Sequence, residues 1–310
     1  IINSILEERY IMEYHIEKVA SPNAVVGEGP VWNHEEQRIY WTDIYEGKLF
    51  KYNPENKTNK QIHNGVQVGG FRFNESGGLI LGTWEGIHLW RSDEDFEVIK
   101  EGKIKGTKIN IRVNDAISGP DGSFYCGTDA TNWTNDIVFR INPDLSIEVI
   151  DEGVKLCNGM GFSPDESIFY STDSLRKAIY QWDYNKNTKN ISNKRTFVKL
   201  NNEDIGIVDG MTVDSEGFVW SAIWFSSKVM RFDPDGKLER EISFPATQTS
   251  CPTFGGKDLN ELYVTTANSG TGEKPVGSEP KNYDFNAYRG GDLFKVKLDI
   301  QGKLEYKTKF

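Results

Sequence analysis

One pattern recurs six times along the chain, and no other feature restricts the fold as much. The first copy, from Gly29, reads GPVWNHEEQRIYWTDIYEGKLFKYNP, and the second, from Gly70, reads GFRFNESGGLILGTWEGIHLWRSD. The third, from Asp115, reads DAISGPDGSFYCGTD and continues as DIVFRINPD. The fourth, GMGFSPDESIFYSTDSLRKAIYQWDYN, starts at Gly159, and the fifth, GMTVDSEGFVWSAIWFSSKVMRFDPDG, at Gly210. The sixth, PTFGGKDLNELYVTTA, starts at Pro252 and closes with GGDLFKVKLD. Each copy gives a short strand, a turn rich in Asp, Glu, Gly, Pro or Ser, and a second, almost continuously apolar strand. A loop, an alternating third strand and a weaker fourth segment follow. Continuous runs suit strands buried on both faces, and alternation suits half-buried ones.

A period of roughly forty to fifty residues with four strands per unit is the signature of propeller blades. No segment keeps a helical period. The expected fold is therefore all-β, a six-bladed β-propeller with four-stranded blades, with residues 1–310 forming a single domain. Either the amino-terminal RYIMEYHIEKVA or the carboxy-terminal KLEYKTKF is left to supply the outer strand that closes the ring. One stretch, residues 268 to 291, is Gly/Pro/Ser/Asn-rich and reads as a long loop within the sixth copy.

Composition narrows the function classes. There are 46 acidic and 36 basic residues, a net charge of −10, which disfavours nucleic acid and anionic membrane as general partners. The three cysteines, Cys126, Cys157 and Cys251, are far apart and odd in number, which argues against a disulfide framework or a thiolate metal site and fits a reducing, cytoplasmic location. No apolar run approaches the length of a transmembrane helix. The amino-terminal IINSILEERYIMEY shows no signal peptide; because the first residue is not Met, a removed leader stays open.

The residue just before each repeat is, in order, Glu28, Gly69, Asn114, Asn158, Asp209 and Cys251. In a propeller the first strand of each blade lines the central channel, so these positions converge on the axis. Four of the six carry a side-chain oxygen. Buried like charges repel and desolvate at high cost, and a divalent cation removes that penalty. All-oxygen ligands suit calcium, magnesium or manganese, with zinc or iron(II) compatible where water completes the shell. Asn158-Gly159 and Asp209-Gly210 would read in isolation as hairpin turns. Each copy, however, places its hairpin turn a few residues later, which leaves no room for two.

Loops between second and third strands, and connections between blades, border the same end of the channel. They bring Trp84, Glu85, Asp129 to Trp133, Asp173, Trp224, Phe225, Arg112 and the 268 to 291 loop to the pocket. Asp173 is expected to support the ligands, and Cys157 and Cys251 to act as small apolar fillers. The four histidines show no paired spacing, and no nucleophile elbow, zincin helix or phosphate loop is present.

The motifs GEGPVW, RVNDAISGPDGSFYCGTD, NGMGFSPDE with FYSTDS, DGMTVDSEGFVWSA and FGGKDLNELYVTTA together resemble the senescence marker protein 30, gluconolactonase and luciferin-regenerating enzyme family, in order from about residue 27 to 299. The resemblance implies a six-bladed propeller with one divalent metal ion, calcium foremost, held by Glu28, Asn158 and Asp209. It implies that Arg112 and Asn114 face the substrate. The chain departs after GTD, where ATNWTND stands in place of an acidic substrate contact found in several sugar lactonases, so the substrate can differ from common aldonolactones.

The expected activity is hydrolysis of a small-molecule lactone, a sugar aldonolactone such as gluconolactone foremost. The metal polarises the carbonyl, and Asp209 is the catalytic base for attack by water. Arg112, Asn114, Asp129, Trp84 and Trp224 are the candidate substrate-binding residues. A phosphotriester hydrolase on the same metal site and a non-enzymatic calcium-binding propeller are the alternatives.

Overall fold

The computed structural model describes residues 14–104, 106–129, 135–269 and 278–310. Among these residues twenty-four strands form six four-stranded antiparallel sheets, and the fold is a six-bladed propeller. The innermost strands of blades one to six are Gly27–Asn33, Val68–Phe73, Val113–Ser118, Cys157–Phe162, Ile207–Val213 and Thr249–Gly255. The hairpin turns read from the sequence sit between first and second strands. The backbone N–H of Gly77, Gly122, Glu166, Gly217 and Leu259 each closes one of them.

The ring closes through the amino-terminal candidate. Ile16–Ala20 pairs with Leu293–Lys297 as the outer strand of blade six. The carboxy-terminal segment does something else. It crosses the end of the channel where the hairpin turns lie and touches every blade. Gly302 N donates to Leu259 O (2.7 Å), and Ser215 N to Gln301 O (2.9 Å). Tyr306 Oη meets Glu166 (3.1 Å), and Ser118 Oγ donates to the Tyr306 carbonyl. Lys309 N donates to Gly122 O and Thr308 N to Phe73 O, while Lys307 pairs with Glu35 (2.7 Å). The channel is thereby stoppered at this end.

The second strands are buried along their length, as in Leu79–Thr83 and Phe124–Thr128. The third strands differ from the alternating expectation. Asp136–Ile141 is wholly buried. Its polar residues are absorbed by partners: Thr128 donates to Asp136 (2.9 Å), and Arg140 pairs with Glu148 (2.8 Å). Alternation in the sequence therefore marks polar groups that find internal partners as well as groups that face water. Apolar clusters fill the space between neighbouring blades; one joins Trp220, Phe254, Leu262 and Phe294 across blades five and six. No helix among the described residues is long and apolar enough to cross a membrane.

Candidate functional site

The six axial positions lie inside the innermost strands rather than before them. Every one of these strands slips register there: between Glu28 and Val31, Val68 and Gly70, Val113 and Asp115, Asn158 and Met160, Val208 and Met211, and Thr249 and Cys251. A β-bulge inserts an unpaired residue and re-aims a side chain. Repeated in each blade, it turns side chains toward the axis at one level. In blade one the bulge contains Pro30, which has no N–H to give the ladder, and Gly29 at φ +51°, a conformation open to glycine.

Three carboxylates share this level. Glu28, Asp115 and Asp209 are each buried, and each is anchored by the N–H of the following residue. Gly29 N donates to Glu28 (2.8 Å) and Ala116 N to Asp115 (2.7 Å), and Gly210 N donates to Asp209. Burial pushes the Glu28 carboxyl far above its usual range, and the charges of Asp209 and Asp115 push the same way. Burial and Asp115 do likewise for Asp209. Asp115 is pushed up to about 6 by burial, against the opposing pull of Arg72 and the Ala116 N–H. The three charges are close enough to repel, and water does not screen them.

Two amides complete the set. Asn158 Nδ2 donates to Ser174 Oγ (2.9 Å), which turns its Oδ1 toward Asn114, whose Nδ2 donates to it (3.1 Å) and to the Cys157 carbonyl (2.8 Å). Gly210 keeps the ring tight beside Asp209. A Cβ there would lie 2.5 Å from Cys251 Cβ. All three cysteines are free and buried, and burial drives their thiols well above their usual range. They pack as small apolar groups, the role expected from the sequence for Cys157 and Cys251.

Above this level stands a cationic and aromatic wall. The Arg112 guanidinium lies over the Trp84 ring, 3.4 Å from its centroid, and reaches Asp129 at 3.4 Å. Tyr45 meets the Trp84 edge (5.2 Å), and it is exposed. Trp224, on blade five, packs against Phe225 (5.9 Å), which packs against Tyr283 (4.9 Å). Phe225 holds φ +72°, unusual for a bulky residue. Asp173 departs from expectation. It caps a short 3-10 turn, Ser174–Arg176, accepting from Arg176 N and Lys155 N (both 3.2 Å) and pairing with the Arg176 side chain. Its neighbour Ser174 supports Asn158 instead. Trp133 and residues 270–277 of the long loop lie outside the described residues.

The sequence reading placed one axial residue per blade and so passed over Asp115 and Arg72. The adjacent oxygens of Asn114 and Asp115 were the available signal. Of the remaining candidates, Arg112, Asp129 and Trp84 come together on blades two and three, and Trp224 stands apart on blade five.

The profile of the SMP-30/Gluconolactonase/LRE-like region matches residues 26–268. The chain belongs to that family. Among relatives of the SMP-30/gluconolactonase/LRE-like kind, pentonolactonase XacC of Haloferax volcanii is 31% identical over 293 residues, covering 94% of this chain and 98% of its own. Among solved structures, a luciferin-regenerating enzyme superposes with a TM-score of 0.85 at 24% identity, covering 96% of this chain and 100% of its own. A calcium-binding protein, regucalcin, from Agrobacterium tumefaciens superposes with a TM-score of 0.78 at 18% identity, covering 96% and 98%. At these identities the two structures bear on the fold alone.

Proposed function

We propose that the protein is a divalent-metal-dependent lactonase acting on a sugar aldonolactone. The observation that carries this reading is the meeting of buried, mutually repelling Glu28 and Asp209 with the oriented amide of Asn158 at one level of a channel stoppered at its other end. Among the described residues no three His, Cys, Asp or Glu side chains form a metal cage by themselves. The donor set fits a hard cation that takes carboxylate, amide and water oxygens together, and calcium is the ion of first choice. Glu28, Asn158 and Asp209 would hold it. The pentonolactonase relative supports a sugar lactone as the substrate class.

A cation bound there supplies a Lewis acid for the ester carbonyl and offsets the axial carboxylates. The protein's own groups do the rest. Asp209 takes a proton from the attacking water and returns it to the ring oxygen as the acyl C–O bond breaks, which gives a hydroxy acid. Arg112 donates to substrate hydroxyls and to negative charge developing on oxygen, and Asn114, whose two Nδ2 hydrogens go to Cys157 and Asn158, accepts from a substrate hydroxyl through Oδ1. Asp129 holds the Arg112 guanidinium in place, and the faces of Trp84 and Trp224 pack against the apolar side of the sugar ring.

Hydrolysis of aldonolactones and simple lactones, followed by acid release, tests the reading. Chelator should abolish turnover, and one of calcium, magnesium, manganese, zinc or iron(II) should restore it. Full activity in chelator, or no lactone turned over with any cation, overturns it.

A further inference from the structure

Arg72 is an odd residue to find where it lies. It sits on the innermost strand of blade two, three residues beyond the axial Gly69, and it is buried. Its Nη1 donates to the Phe71 carbonyl (2.7 Å), while Nε is buried without a hydrogen-bond partner. It makes no ion pair within 4 Å among the described residues. With Met160, Met211, Lys303, Glu305 and Tyr306 it lines a small cavity between the axial carboxylates and the carboxy-terminal stopper. Burying an unpaired guanidinium costs several kcal/mol unless something offsets it.

An acid on which its charge acts is Asp115, on the neighbouring blade. The two innermost strands approach so closely that a Cβ on Gly70 would lie 2.5 Å from Ala116 N. Asp115 is thereby held beside the blade that carries Arg72. The positive field of Arg72 reaches Asp115 and also Cys126 and Cys251, on blades three and six, as a central position requires. Glu28, Asp115 and Asp209 bring three negative charges to the axis and Arg72 brings one positive charge. The sum is −2, which one divalent cation neutralises. Lys303 and Glu305, the other charges on the cavity, cancel each other.

We propose that Arg72 is the fixed counter-ion of Asp115, and that this buried pair sets the charge of the axial site to suit a divalent rather than a trivalent cation. Arg72 is a positioning residue: it acts through Asp115. The inference rests on the metal-site reading above.

The test measures dissociation constants for calcium and terbium by titration calorimetry at one pH and ionic strength. The proteins are the wild-type chain, Arg72→Gln, Arg72→Lys, Asp115→Asn and the Arg72→Gln/Asp115→Asn double variant. A unit charge several ångströms away acts more strongly on a trivalent than on a divalent ion. Arg72→Gln should therefore raise the ratio of terbium to calcium affinity about tenfold or more, and Asp115→Asn should lower it comparably. Arg72→Lys should keep the wild-type ratio, and the double variant should return to it. A folded Arg72→Gln with an unchanged ratio overturns the proposal. If that variant does not fold, an unchanged ratio in Asp115→Asn overturns it equally. Failure of the wild-type chain to bind any cation refutes the metal-site reading itself.

Discussion

Asp209 and Asp214 stand at opposite ends of one innermost strand, and each is followed by turn-forming residues. Their surroundings are opposite. Asp214, in the hairpin turn, is satisfied on both oxygens. Oδ2 accepts from Trp220 Nε1 (2.8 Å) and Arg231 Nε (2.9 Å), and Oδ1 accepts from the N–H groups of Glu216 (2.9 Å) and Phe218 (3.0 Å). Asp209 has one backbone N–H and two like-charged neighbours, Glu28 and Asp115, toward the end away from the stopper. The first carboxylate is finished by the fold, and the second is left for something the fold does not supply. The same contrast separates the two ends of the channel. At the stoppered end polar groups close on one another, and at the other end they converge without closing.

Exchanging the two roles by mutation should break the contrast most visibly at Asp209. Asp209→Asn should cut lactone turnover by about 10²–10⁴-fold, the usual contribution of a positioned acid–base group, while circular dichroism stays that of the wild-type fold. Its metal-free melting temperature should rise, because a repelling buried charge has gone; a fall in both activity and melting temperature would place Asp209 with Asp214. Asp214→Ala should do the reverse. It removes one of the three carboxylates around the buried Arg231, which keeps Glu216 and Glu239, and leaves Trp220 Nε1 without its acceptor; it should cost about 1–3 kcal/mol in denaturant unfolding, with kcat little changed in the folded fraction.

The pH dependence separates the two ends a third way. Asp115 titrates near 6 in the fold, above the 3.8 of an ordinary aspartate. A raised carboxyl contributes stability while it stays protonated, and that contribution is lost as pH rises through the folded value. In chelator, the melting temperature of the wild-type chain relative to Asp115→Asn should fall between about pH 4 and pH 6, and saturating cation should flatten the fall. A flat difference in chelator would mean that burial does not raise the Asp115 carboxyl. The smallest effect belongs to the rim. Trp84→Leu removes the face under Arg112 and should raise KM by an amount worth about 0.5–1 kcal/mol, with kcat held. A kcat loss with KM unchanged would move Trp84 from binding to chemistry.

Much of this was legible in the sequence for a physical reason. A blade cannot bury its own faces, so the chain repeats its strand grammar six times, and the copies align without ambiguity. The alignment singled out Glu28, Asn114, Asn158 and Asp209, because residues far apart in sequence fall on one axis only if the ring closes. The bulges were not legible. They depend on how Gly29, Pro30 or Gly210 sits against the next blade, and period-two counting assumes that adjacent residues face opposite ways. That assumption hid Asp115 behind Asn114. Arg72 stands in GFRFN, with nothing local to show that its blade-three neighbour is an acid. Asp173 erred the other way: a carboxylate at the right end of a strand went to cap a turn.

Of the described strands, the one that closes the ring is made before its partner by almost the whole length of the propeller. Ile16–Ala20 finds its partner only when Leu293–Lys297 has been synthesised. At typical elongation rates that is roughly 15 to 55 seconds later. Through that interval the nascent chain carries an orphan edge, the kind of surface that recruits wrong partners. The strand is five residues long and carries Glu17 and Lys18 side by side. A short, charged edge is a poor template for misassembly, so the segment that fastens the ring is also built to wait.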